Sequence, residues 1–289
     1  MSKVEIVKPQ KWFKELKWFL RVPICLLAVF WSSSCATIGK TNNPEELTRT
    51  FERATIVIPK HINPNDPLSS KRVLTDEVRY IKKELDNIPS GSDIRLIIYM
   101  HGCGTSGGMN DFRLFHFLAN NGYAILAPNS FARKYKPRSC DPETYTGGFH
   151  RGVLGFRIAE AQYAYEAAKK MPWVDKQNIF MMGYSEGGIT TEKFPHGGLA
   201  GRIILGWTCN AGWPEYDGIS GPRDVPVLAV VASNDPWFRH PSLSGHCGDS
   251  FFAKRNIESI VIDADLHAIY TLTRVRYKIL QFLQKNRRF

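Results

Sequence analysis

The sequence predicts an α/β domain, a mostly parallel central sheet with helices on both faces. Short apolar runs, rich in Val, Ile and Leu on successive positions, mark strands buried on both sides. Segments of helical spacing alternate with them, the pattern of a parallel sheet with helical crossovers. No internal repeat or low-complexity linker interrupts that alternation beyond the N-terminal stretch.

The elements follow in order. Residues 54–59 (ATIVIP) form a short β-like run, and residues 74–85 a charged, helix-like stretch. Residues 94–100 (IRLIIYM) have the length of a strand, and residues 111–120 have helical spacing. Residues 123–128 (YAILAP) give the next strand, and residues 155–171, rich in Ala and Glu, a strong helix. Residues 179–183 form a strand that runs into a turn. Residues 203–207, 225–232 and 257–262 read as further buried strands, and residues 271–285 close the chain as an amphipathic helix.

The chain's 289 residues, 43% of them hydrophobic, suffice for one large domain plus extra sequence at an end. We divide it into a signal segment (1–36), a polar, irregular tether (37–52) and one domain (53–289). The signal reading rests on a basic stretch ending at Arg21, an apolar run over residues 22–31, and then Ser32-Ser33-Ser34-Cys35-Ala36. Such a run is too short for a membrane span, which takes about twenty residues, but suits a signal peptide. The small residues before Cys35 fit a bacterial lipoprotein cleavage box, with Ser32 where such boxes usually carry Leu. Cys35 would then be lipidated, placing the domain on a membrane facing the periplasm or cell exterior. Ser34-Cys35-Ala36 also fits ordinary cleavage and plain secretion, and an uncleaved anchor is a third option.

The chain is basic, with 38 Lys+Arg against 27 Asp+Glu. Without residues 1–34 the balance is 32 against 25, a net +7. That excess suits an anionic surface, but no Lys/Arg block marks a nucleic-acid tract, and nucleic acid is not an expected partner.

Gly183-Tyr184-Ser185-Glu186-Gly187 follows an apolar strand and precedes a helical stretch. This is the context of a strained turn that lifts a serine Oγ clear of a sheet. A serine hydroxyl needs a base to take its proton, and the base needs a carboxylate to hold it. Asp235 follows the strand 225–232 and His267 follows the strand 257–262, both where the carboxyl ends of parallel strands gather. Asp235, before Pro236, could instead merely initiate a turn. Asp263 and Asp265 are other acids, but too near His267 in sequence to approach it as a separate loop would. His61, His116, His150 and His196 fall outside the post-strand positions, and His240 and His246 suit pocket wall or surface. With Cys247 those two lack the carboxylate or paired spacing of a metal site.

An oxyanion needs two backbone N–H donors. One is expected from Glu186, after the nucleophile. The other is expected from His101-Gly102-Cys103-Gly104, directly after the strand 94–100, with Cys103 first and Gly104 second. Gly102, Gly104 and Gly107 also spell a dinucleotide fingerprint, but the next strand ends in Ala127-Pro128-Asn129-Ser130 without the acid that motif requires. No cofactor is expected.

His101-Gly102-Cys103-Gly104, residues 122–131 (GYAILAPNSF), Pro172-Trp173-Val174-Asp175 and residues 182–188 (MGYSEGG) together resemble the dienelactone hydrolase family of the α/β-hydrolases. The resemblance covers roughly residues 90–270. It implies an α/β-hydrolase fold and cofactor-free hydrolysis of a small-molecule carboxylic ester or lactone. The name-giving enzymes use cysteine where this chain has Ser185, which points to a serine esterase relative. A second resemblance, to polyhydroxybutyrate depolymerase and feruloyl-esterase-like proteins, rests on the HGC loop and a later cysteine able to bridge to it, as Cys140 is here. The short link from Cys209 to Val225 leaves no room for a sizeable cap domain. The rival class is a surface-tethered binding protein on an inactive scaffold.

Exported proteins keep disulfides. Cys103 and Cys140 lie in loops leaving neighbouring strands on the same edge of the sheet, as do Cys209 and Cys247, and these two pairings are expected. Four buried thiols are the alternative.

Overall fold

In the computed structural model, residues 41–59, 85, 88–104, 108–249 and 256–289 are described. The expected signal segment with Cys35, and the helix-like stretch 74–85 apart from Leu85, lie outside them. Residues Pro44–Phe289 form one compact unit.

The strands of the described residues are β1 (Thr55–Val57), β2 (Ile94–Met100), β3 (Tyr123–Ala127), β4 (Cys140–Asp141), β5 (Thr146–Gly147), β6 (Val174–Tyr184), β7 (Gly201–Leu205), β8 (Val227–Ala232) and β9 (Ile257–Ile262). Seven of them make one sheet in the order β1-β3-β2-β6-β7-β8-β9. All neighbours in it are parallel except β1, antiparallel to β3. The two-stranded hairpin of β4 and β5 stands apart from it. The helices are α1 (Pro44–Glu52), α2 (Met109–Ala119), α3 (Val153–Lys170), α4 (Glu186–Lys193) and α5 (Thr273–Lys285).

Successive side chains of a strand face opposite ways, so β2 feeds two cores. Ile97 and Tyr99 pack with Leu114, Phe115 and Leu118 of α2 and Ile279 and Phe282 of α5. Leu96, Ile98 and Met100 pack on the other face with Ala161, Ala164 and Ala168 of α3. That two-faced burial is why the strands read as unbroken apolar runs.

Some elements differ from the sequence reading. Residues 44–52 are not an irregular tether: α1 packs on the domain, with Thr50 buried and the Phe51 ring 5.5 Å from that of Tyr163. β6 begins at Val174, which pairs with Ile94 before a register shift. β7 stops at Leu205 because Gly206 takes a left-handed φ of +60°. β9 is an edge strand rather than a buried one, with Val261 46% exposed.

One buried carboxylate gives the fold a pH signature. Glu192 of α4 is wholly enclosed, and burial pushes its pKa from 4.5 up to about 8, although Lys193 Nζ lies 3.1 Å away. The folded state therefore holds a proton that the unfolded state gives up above pH 4.5. Stability falls as pH rises from about 4.5 to about 8 and levels off beyond. Glu192→Gln should flatten that slope in melting temperatures recorded against pH. An unchanged slope would mean that Glu192 is ionised in the fold.

Candidate active site

Ser185 lies between the end of β6 and the start of α4, at φ 56°, ψ −120°. Serine rarely enters this region, at a cost of about 1–3 kcal/mol, and the surroundings enforce it. Its N–H donates to Leu205 O at 2.8 Å and its carbonyl accepts from Gly188 N at 2.8 Å. A Cβ on Gly183 would sit 1.9 Å from Gly187 O, and one on Gly187 would sit 1.9 Å from Met100 O. Strand and helix pass so closely that both positions require glycine. The turn stands beside the carboxyl end of β2, from which the chain goes one way to β3 and later the other way to β6 and β7. Such reversals of strand order open the crevice where α/β sheets bind ligands.

β8 and β9 deliver the other two residues. His267 Nε2 is 2.9 Å from Ser185 Oγ, and His267 Nδ1 is 2.7 Å from Asp235 Oδ2. With Nδ1–H donating to the carboxylate, Nε2 is left to accept the serine proton. Asp235 Oδ1 accepts from Trp237 N at 3.0 Å, which fixes the carboxylate, itself 3% exposed. The turn reading of Asp235 and its acid role are thus compatible: one oxygen caps the turn, the other meets the histidine. Asp263 Oδ1 instead faces Ser233 Oγ at 3.4 Å. The rings of Tyr184, Trp237 and Phe238 surround the imidazole at 5.0, 5.2 and 5.7 Å between centroids. Burial, reinforced by Asp235, pushes the Tyr184 phenol well above its ordinary value, so it stays protonated. His240 meets Ser242 and stands in the wall of a cavity that Ser185 also lines, and His246 meets Asp249.

Beneath the loop 101–104 lies a charged network that sequence reading did not find. Arg157 of α3 is fully buried and donates to His101 O, to His101 Nε2 at 2.8 Å and to Ser130 Oγ. Its Nε is 3.9 Å from Glu186 Oε1, so one guanidinium reaches both segments expected to supply oxyanion donors. Glu160, one turn on, pairs with Arg133 and accepts from Ser130 Oγ. Two guanidinium groups thus meet two carboxylates. His101 Nδ1–H donates to Gly102 O at 2.7 Å, while Nε2 also accepts from Ser130 N at 3.2 Å. Burial, then the Arg157 charge, hold its pKa well below the ordinary value, so the ring is neutral. Arg157, Glu160, Ala161, Ala164 and Ala168 share the buried stripe of α3. Charge on an otherwise apolar, Ala-rich stripe was the legible signal.

Ser185 lines two cavities. One, of about 370 Å³, is walled by Tyr145, Ile189, Trp207, Trp213, Tyr216 and Trp237. The other, of about 590 Å³, is bounded by Gly102, Tyr184, Asp265, His267 and Tyr270. Cys103 lines both, and Glu186 the first. Both expected disulfides are present, Cys103–Cys140 and Cys209–Cys247. The first ties the β4–β5 hairpin to the loop after β2, and the second uses up Cys247. Closing loops of 37 and 38 residues, each removes about 4 kcal/mol of chain entropy from the unfolded state. Reduction should lower the melting temperature, and cutting Cys103–Cys140 alone should also lower turnover, because the loop at Ser185 loses its outer anchor. A Cys140→Ser variant with undiminished kcat would refute the second effect.

No protein-family model and no curated protein matches the chain. Solved structures do. Est1E from Butyrivibrio proteoclasticus, with ferulic acid bound, is 16% identical at a TM-score of 0.52, over 81% of this chain and 94% of that one. The chain has the α/β-hydrolase fold. A Klebsiella pneumoniae protein assigned as a dienelactone hydrolase is 14% identical at a TM-score of 0.48, over 68% of this chain and 89% of that one. Among the described residues of this α/β-hydrolase fold no large cap covers the sheet. The link between β7 and β8 instead contributes Ala211, Trp213 and Tyr216 to the wall of the smaller cavity.

Proposed function

We propose that the protein is a serine hydrolase that cleaves carboxylic esters or lactones through an acyl-enzyme. The relay Ser185 Oγ–His267–Asp235, at 2.9 and 2.7 Å, carries this reading. His267 Nε2 takes the Ser185 proton as Oγ attacks the carbonyl, and Asp235 holds the resulting imidazolium. His267 then gives the proton to the leaving alcohol, and a water activated by the same nitrogen releases the acid. The backbone N–H groups of Cys103 and Glu186 receive the oxyanion, with Gly104 the other donor candidate. The amide of Glu186 opens a helix, where backbone donors have no intrahelical partner.

The cavity that includes His267 takes the alcohol part, because His267 protonates it. The aromatic-walled cavity takes the acyl part, and its indole and phenol rings suit a flat or aromatic group. A fluorophosphonate probe should label wild type at Ser185 and leave Ser185→Ala unlabelled. Absence of labelling in folded wild type would favour the inactive binding scaffold.

We further propose export with lipidation at Cys35, and the two disulfides are compatible with an extracellular protein. No helix among the described residues is long and apolar enough to cross a membrane. Mass spectrometry of the mature N-terminus should find acylated Cys35. A start at Thr37 without acyl mass would mean plain secretion.

A further inference from the structure

A third cavity, of about 430 Å³, adjoins the alcohol-side cavity through Cys103, Gly104 and Pro142, which line both. Its character is different, for Arg133, Lys134, Lys136 and Arg138 stand in its wall. Two of these cations are already partnered. Arg133 is paired with buried Glu160, and Arg138 Nη2 lies 3.0 Å from Asp141 Oδ1. Lys136 is not. Among the described residues no carboxylate lies within 4 Å of its ammonium, which is held 3.9 Å over the centre of the Phe131 ring. Phe131 is in turn stacked on His101, 5.1 Å between centroids and 25° between planes.

The chain thus positions a half-buried ammonium over an aromatic face in a concave pocket, with no carboxylate in direct contact among the described residues. Burial lowers the Lys136 pKa against the pull of Glu186 and Glu160, neither of which comes within 4 Å of the ammonium. An anion entering the pocket would recover that lost solvation, with Lys134 adding charge at the rim.

We infer that this cavity is a subsite for a carboxylate carried on the alcohol part of the ester substrate, away from the scissile bond. The inference rests on the ester-hydrolase reading for its orientation. A concavity sharing three wall residues with the alcohol-side cavity fits another part of the same molecule better than a flat lipid surface.

The test compares acyl esters of ω-hydroxycarboxylic acids, from glycolic acid upward in chain length, with esters of the matching alkanols. Release of acid is followed by titration. The ratio of kcat/KM for the anionic over the neutral ester should rise about tenfold or more at one chain length, about 1.4 kcal/mol in the transition state. Lys136→Met should bring it near one, and added salt should erode it. A ratio identical in wild type and Lys136→Met at every length overturns the subsite. So does a variant that loses binding to phosphatidylglycerol vesicles while keeping the ratio, since the cation then serves a lipid phosphate. If wild type cleaves neither series, the hydrolase reading fails, and calorimetric titration of adipate into Ser185→Ala decides the anion site. Binding there that Lys136→Met abolishes supports an anion site, and no binding rejects it.

Discussion

Ser185→Ala should abolish ester hydrolysis, by about five to six orders of magnitude in kcat, with the melting temperature nearly unchanged. The substitution removes only Oγ, and alanine meets the same φ of 56° that serine already tolerates. His267→Ala should cost nearly as much, because without Nε2 the serine keeps its proton. Asp235→Asn is the more informative change. The neutral amide would offer the imidazole either an N–H or a carbonyl, neither of which stabilises the imidazolium as Oδ2 does at 2.7 Å, so a loss of about 10⁴ is expected. Near-normal activity in Asp235→Asn would remove this carboxylate from the mechanism. Serine and histidine variants that retained turnover would remove the mechanism itself.

Arg157→Met should be the most damaging change outside those three residues. It deletes a fully buried guanidinium, takes the ion-pair partner from Glu186 and leaves Glu160 to Arg133 alone, and breaking such a cluster from one side costs about 3–5 kcal/mol. Because that variant could fail to fold, Arg157→Lys separates stability from catalysis. Lysine keeps the charge but cannot reach His101 O, His101 Nε2 and Ser130 Oγ together. If Arg157 positions the oxyanion donors, Arg157→Lys lowers kcat at least tenfold with little change in KM. A purely structural role would lower melting temperature and leave kcat per folded molecule intact.

Much of the relay was legible because its chemistry constrains the backbone as well as the side chains. Gly183 and Gly187 mark a place where strand and helix nearly touch, and the order Ser, Asp, His follows the order in which β6, β8 and β9 deliver their loops. The Cys103–Cys140 pairing was legible because both loops leave adjacent strands at one edge. α1 was hidden by its polarity, though Asn43-Pro44-Glu45-Glu46 has the cap, the proline and the acidic first turn of a helix start. What makes α1 part of the domain is Phe51 meeting Tyr163, over a hundred residues away, which no local window contains. The Arg157 network was missed for the same reason: its partners come from three separate stretches of chain. Cavity walls built from loops, such as Tyr145 and Trp213, follow no periodicity at all.

The bridges join neighbours in chain order, Cys103 to Cys140 and then Cys209 to Cys247, so neither loop encloses or crosses the other. A chain emerging from its N-terminus can close the first pair before the second pair appears. Of the three pairings open to four cysteines, an oxidant acting in order of appearance reaches this one without correction. Thiol–disulfide reshuffling is slow beside domain folding. Production in an oxidising compartment should therefore need an oxidase but little isomerase, whereas refolding of the reduced domain exposes its four thiols at once and invites the crossed and the nested pairing.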